Sequence, residues 1–236
     1  MSGVEGDKYR SYLHGEGELN TTWRWGIPNY DVVNKLFEDE RTKVWPPGSL
    51  EEMVQNLMKT WEMELFHKAS LDDFKSMDVN KFTFSLNGRK GLNLMEIKKL
   101  GGGYNPNLQT SLPEQFRIYD PEKENAESSH RAFLTAFPRG FAIEVLKVYA
   151  GPPEIVYKFR HWGYSEGPFK GHAPTGELVE IYGMAVFEVD EDMRIGRVEF
   201  FFDRGELLAG LLKGAAIDET SAQEAASTCP ILRKTG

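Results

Sequence analysis

The chain has 236 residues, of which 40% are hydrophobic and 27% charged, with a formal net charge of -8. That is enough chain to bury a core and still line a cavity. The acidic balance excludes phosphate backbones and anionic lipid as electrostatic partners, and the short basic pairs Arg89-Lys90 and Lys98-Lys99 read as solvated surface.

Cys229 is the single cysteine, so no internal disulfide can form, which fits a reducing compartment. It stands among small residues with no basic partner and is not a candidate nucleophile. The polar start of the chain has no apolar run of signal-peptide type. No stretch approaches the roughly 18 apolar residues of a membrane span. The expectation is a cytoplasmic protein, with entry to the nucleus left open.

Residues 1–48 form an extension rich in tryptophan (Trp23, Trp25, Trp45), too aromatic for plain disorder and expected to wrap over the rest. A short helix is expected over Tyr30–Phe37 with Asp31 as its cap. Pro46-Pro47-Gly48 punctuates the chain, and Ser49 with Glu52 forms a capping box. Apolar residues at helical spacing then predict a helix over Leu50–Lys68. Ser70 with Asp73 opens a short helix to Met77, and a strand spans Lys81–Leu86 with a turn at Asn87-Gly88.

Residues 89–127 are less regular. Leu92–Leu100 reads as a helix stopped by Gly101-Gly102-Gly103. That triple glycine is a helix end and loop, not a phosphate loop, because no Lys-Ser/Thr follows it. A strand is expected near Phe116–Tyr119, and a helix over Ser128–Phe137 is ended by Pro138.

The chain then turns to strands: Phe141–Tyr149, Ile155–Gly163, Leu178–Val189 and Arg194–Asp203, the last two joined by a hairpin at Asp190–Met193. Gly205–Leu212 closes as a helix, and residues 214–236 form a polar tail expected to be mobile. Helices first and strands after predict an α+β protein, a curved antiparallel sheet closed by helices into a cone with a central pocket. The cone domain covers residues 49–213, with 89–127 as an insertion.

Strand alternation selects the residues that face inward. They are Tyr157, Phe159 and His161 on one strand, Ala185 and Phe187 on the next, and Val198, Phe200 and Phe202 on the last. With Trp61 from the long helix they form an aromatic wall suited to an apolar ligand. His161 is the titratable residue left on that face and could serve as a base or satisfy a buried polar group. His67 is a second candidate, and His172 belongs to the rim. Asp203 is a third acid-base candidate, though its outward face favours a helix-capping role. The histidines lack metal-ligand spacing, so neither metal nor cofactor is expected.

The run Gly163, Gly167, Gly171, Pro174, Thr175, Gly176 resembles the signature of SnoaL-like domains, a branch of the nuclear transport factor two-like superfamily. That resemblance implies the cone fold and pairing into a homodimer through the open sheet face, for which the outward aromatics Tyr182, Phe201 and Trp162 are suited. Carried over position by position, it puts Ala185 and Phe200 where the cyclases keep a catalytic His and Asp. Both are inert, and the Asp-Arg-Asp set of the epoxide-hydrolase arrangement cannot be assembled.

A closer resemblance spans nearly the whole chain. Val4–Arg10, Trp45–Glu52, Leu100–Asn105 and Tyr157–Leu208 are similar to the plant pathogen-related proteins, a group name that states association with infection and no chemistry. Three functions stay open: binding of a small hydrophobic metabolite in plant defence or specialised metabolism, an isomerase or cyclase using a pocket histidine, and a non-catalytic partner of a biosynthetic enzyme. The first is favoured.

Overall fold

A computed structural model describes residues 7–217. Cys229 and most of the expected tail lie outside the described residues.

The extension supplies α1 (Asp31–Glu40), longer than expected. Asp31 is its first helical residue and not its cap; its N–H donates to Asn29 Oδ1 at 2.8 Å. The long helix α2 spans Leu50–His67, with Ser49 Oγ accepting from the Glu52 N–H at 3.2 Å. The return half of the box is made one residue earlier, where Glu52 accepts from the Gly48 N–H at 2.6 Å. Ser70 caps only a 3-10 turn, Leu71–Asp73, and no helix runs on to Met77. The Glu64 carboxylate takes the backbone N–H groups of Lys75 and Ser76, which holds that stretch extended.

There follow β1 (Thr83–Leu86), α3 (Leu94–Lys99) and α4 (Ala126–Ala136), the two helices each starting on a complete capping box, at Asn93/Glu96 and Asn125/Ser128. The glycines after α3 all have positive φ (97°, 62° and 57°), so the helix end and loop expected there form. The strand expected at Phe116–Tyr119 does not form. Glu114–Phe116 is a 3-10 turn, and the Tyr119 ring is buried with its hydroxyl donated to Asn105 Oδ1 at 2.6 Å. The remaining elements are β2 (Ala142–Ala150), β3 (Glu154–Tyr164), β4 (Leu178–Val189), β5 (Ile195–Phe202) and α5 (Arg204–Leu211).

The five strands form one open, curved sheet in the order β1-β5-β4-β3-β2. Strands β2 to β5 are antiparallel, as expected, but β1 lies parallel to β5, so the sheet is mixed. The direction is set before β1 begins, where Met77 already bridges Ile195 in parallel. Register shifts in β2, at Val145/Lys147 and Val148/Ala150, bend the edge of the sheet. Within the signature loop, a Cβ on Gly167 would stand 1.9 Å from the Thr135 carbonyl oxygen, so the glycine there is a matter of close approach to α4.

Helix α2 packs on the inner face, burying Val54, Met58 and Trp61 against Ile155, Phe187 and Phe200. Helix α1 covers part of the outer face. Trp162 points outward, as alternation requires, but it is fully buried and so is not a contact for a second copy. Phe37 lies over it at 6.3 Å, and its indole N–H donates to Glu40 at 3.0 Å. The tryptophans of the extension are also used internally: Trp45 donates to the Val145 carbonyl at 3.0 Å, and Trp23 bridges Lys68.

Two buried lysines fasten the extension, in opposite ways. Lys68 donates to Glu18, Glu64 and the Asp73 carbonyl, each at 2.9 Å, so its charge is matched. Lys59 lies 3.1 Å from the Phe37 ring centroid and 4.5 Å from that of Tyr9, with no carboxylate in ion-pair reach among the described residues. Burial first, and then Arg10, holds its amine well below the ordinary lysine range. Lys68→Met leaves the buried Glu64 carboxylate without a cation, while Glu18 keeps Lys75, and is expected to cost about 3 kcal/mol. Lys59→Met, which removes a poorly solvated amine, is expected to add about 1 kcal/mol. Urea unfolding followed by tryptophan fluorescence measures both, and equal losses in the two variants would contradict the contrast.

Candidate functional site

The inner face is packed solid at one end and hollow at the other. Tyr157, Ala185, Phe187 and Val198 have no exposed surface; they belong to the core beneath Trp61 and do not line the cavity expected of them. The reason is aromatic filling: Trp61 makes ring contacts with Phe84, Phe187 and Phe200 at 5.5–6.4 Å, which closes the narrow end. The Tyr157 hydroxyl in this region has no hydrogen-bond partner among the described residues.

The hollow end holds a cavity of about 60 Å³. Five of the expected wall residues do line it: Trp61, Phe159, His161, Phe200 and Phe202. Gly183 makes room for the Phe159 ring, since a Cβ there would lie 2.4 Å from Phe159 Cζ. The remaining wall comes from residues not singled out in the sequence. Helix α2 adds Met58, Glu62 and Phe66, β2 and the residue before it add Ile143 and Phe141, β4 adds Ile181, and α5 adds Leu207. The insertion adds Tyr104, Asn107 and Leu108. Burial pushes the Tyr104 hydroxyl far up, with the Glu62 carboxylate adding to it.

His161 and Glu62 make a polar pair in the cavity wall, beside the indole N–H of Trp61, unpartnered among the described residues, and the side chains of Tyr104 and Asn107. The Nδ1 of His161 lies 2.8 Å from the Ala142 carbonyl oxygen, and its ring stacks on Phe141 with centroids 3.8 Å apart. Its Nε2 lies 3.8 Å from Glu62 Oε1. His161 therefore does not lean on Tyr157. Its main-chain contact fixes the ring and leaves Nε2 toward the carboxylate and the cavity. Glu62 could have been found in the sequence as the polar residue beside Trp61, one turn from Met58, on a helix whose apolar stripe was already assigned.

Asp203 is exposed and caps α5, accepting from the Gly205 N–H at 2.7 Å. It does not reach the cavity. His172 Nδ1 lies 3.0 Å from the Gly214 carbonyl oxygen in the signature loop, also outside the cavity. Among the described residues no cluster of His, Cys, Asp and Glu could hold a metal ion. No helix among them is long and apolar enough to cross a membrane.

A curved sheet with one long helix across its inner face, hollow at one end and lined by aromatics around a single His-Glu pair, defines an α+β cone protein. The chain belongs to the pathogen-related protein family, being 56% identical over 231 residues to the pathogen-related protein of Hordeum vulgare, across 97% of this chain and 96% of that one. No family model matches the chain. Similar solved structures include a protein assigned as a SnoaL-like polyketide cyclase from Jannaschia sp. CCS1, at 16% identity over 59% of this chain and 76% of that one, TM-score 0.35. Another, assigned as a polyketide cyclase from Acidithiobacillus ferrooxidans, is 13% identical over 72% of this chain and 100% of that one, TM-score 0.39. An epoxide hydrolase of the LEH-like type from M. tuberculosis is 15% identical over 67% and 88%, TM-score 0.35.

His67 does not face the cavity. It ends α2 beneath the extension, edge-on to Trp25 at 6.0 Å, to Tyr30 at 5.9 Å and to His130 of α4 at 5.4 Å. Trp25 stacks flat on His130 at 4.2 Å. Burial first, then repulsion from His130, Arg10 and Arg24, holds His67 down to about 3; burial holds His130 down to about 4. Both values lie below the roughly 6.5 of a free imidazole. The unfolded chain therefore binds more protons below that pH, and the stability these rings allow is complete above about 6.5 and lost as pH falls toward 4 and 3. The loss approaches about 1.4 kcal/mol per pH unit for each ring. Urea midpoints measured between pH 7 and pH 5 should fall for the native chain and fall less for the double variant His67→Phe, His130→Phe. Parallel slopes would show that these rings do not set the pH dependence.

Proposed function

We propose that the protein binds a small, mainly apolar molecule in the hollow end of the cone. The observation that carries this reading is the distribution of chemistry in the wall: mostly aromatic and aliphatic side chains, with few polar groups, His161 and Glu62 paired among them. Such a wall holds an apolar body by burial and orients it through one polar group. The volume limits the guest. About 60 Å³ exceeds the roughly 10–15 Å³ that one water needs, yet falls short of the ~150 Å³ apolar cavity known to hold benzene. The bound molecule is slender, or side chains at the rim move aside to admit it. A role in plant defence or specialised metabolism belongs to the same proposal and is supported by the family to which the chain belongs.

A second reading is an isomerase or cyclase. It is favoured by one feature, the imidazole fixed through Nδ1 with Nε2 left toward the cavity, which is the posture of a general base. In that case a bound substrate would exchange a proton with deuterated solvent, and His161→Gln would stop the exchange.

Pairing of two copies across the outer sheet face remains part of the proposal. With Trp162 covered by α1, it rests on Tyr182 and Phe201, which are 50% and 39% exposed.

Native mass spectrometry of the protein isolated from its own tissue tests these points together. The expected result is a stoichiometric small-molecule adduct that leaves on denaturation, carried on a dimer. Ile181→Phe, which fills the cavity, should abolish the adduct while the variant stays folded. An adduct that survives this substitution would place the ligand elsewhere on the protein.

A further inference from the structure

We propose that the cavity takes a primary amine on a short apolar body, with the nitrogen seated between the Glu62 carboxylate and Nε2 of His161. This deepens the binding reading of the same cavity and rests on it.

The argument begins with the imidazole. Nδ1 of His161 lies 2.8 Å from the Ala142 carbonyl oxygen, and a carbonyl can only accept. The ring hydrogen is therefore on Nδ1, and in its neutral form the ring presents a lone pair at Nε2. Facing it at 3.8 Å is Oε1 of Glu62, beyond direct hydrogen-bond reach. An ionised carboxylate is acceptor-only. The cavity thus places two acceptors side by side, at residues whose side chains are only 14% and 30% exposed. Among the described residues no lysine or arginine stands within ion-pair distance of Glu62.

What fits such a gap must bring two hydrogens. An ammonium group has three N–H donors and no acceptor, and its charge opposes that of the carboxylate. A hydroxyl has one hydrogen, satisfies one acceptor, and turns its own lone pairs toward the other. A carboxylate ligand brings no hydrogen and meets like charge. The order of preference is amine, then alcohol, then acid.

The walls agree with that order. Trp61, Phe66, Tyr104 and Phe141 all line the same space, and aromatic faces attract organic cations. Phe159, Ile143 and Ile181 are left for the apolar body. The small volume restricts that body to a short unbranched chain.

Three probes of one size and differing head group decide the matter: n-butylamine, n-butanol and butyrate, titrated into the full chain at neutral pH. Chemical shifts of the methyl groups of Met58, Ile143 and Ile181 report occupancy. The expected result is butylamine binding about ten-fold tighter than butanol, with no saturable shift from butyrate. Glu62→Gln should cost the amine about ten-fold or more in affinity and leave butanol nearly unchanged. If butanol matches or exceeds the amine, or if the amine ignores Glu62→Gln, the amine assignment is overturned while the binding cavity stands. If none of the three moves the cavity methyls, the binding reading itself fails for ligands of this size, and the amine assignment with it. Should Glu62→Gln not fold, the ranking of the three probes on the native chain still decides.

Discussion

The Lys68 ammonium is the fixed point of the molecule. A charge with no exposure is tolerated only when its donors are matched, and here two carboxylates and a carbonyl match them. Those acceptors come from three separate stretches: the turn at Glu16–Glu18, helix α2, and the loop after it. One lysine thereby decides where α2 stops, how the chain leaves it, and where the extension is pinned. The second carboxylate oxygen of Glu64 holds Ser76 through both its N–H and its hydroxyl, which carries the constraint on to the parallel bridge at Met77 and so to β1. The cavity residues Met58, Glu62 and Phe66 ride on the helix that this cluster anchors.

The hollow and solid ends of the cone arise from one face of the sheet. Toward Ile155 and Phe187, large rings from α2, β1 and β5 meet and leave no space. Toward His161, the sheet carries a glycine at 183 and α2 shares the cover with the shorter chain segments around Tyr104 and Leu207. Interiors close-pack wherever rotamers allow it, so an opening beside a buried polar pair is where a guest can enter without displacing core.

Much of this architecture is legible in the sequence because it follows from local rules. Strand β4 alternates over most of its length and runs over Leu178–Val189 as the pattern alone predicts. The helices α2, α3 and α4 begin where Ser49, Asn93 and Asn125 offer caps. Long-range decisions were not legible. Alternation says that Trp162 faces outward but cannot say that α1 will come to cover it. Inward orientation likewise does not separate Phe159, at the cavity, from Tyr157, one pleat away in solid core. Glu62 is legible only as a neighbour of the apolar stripe: its place next to Trp61 on the helix can be read off the sequence, its meeting with His161 cannot. Tyr104 and Asn107 lay in an irregular insertion whose path no periodicity describes.

The two segments added to a plain cone also finish its borders. At β2 the outward backbone of Val145 is claimed from outside the sheet: Gln55 accepts from its N–H at 3.3 Å, and Trp45 donates to its carbonyl. At the opposite border, Leu92 exchanges a pair of backbone hydrogen bonds with Phe84 of β1, both at 2.8 Å. A sheet whose rims are occupied at these points offers little template for a passing strand. The extension and the insertion act as selvedges, finished margins that at these points leave the weave no free thread for another strand to take up.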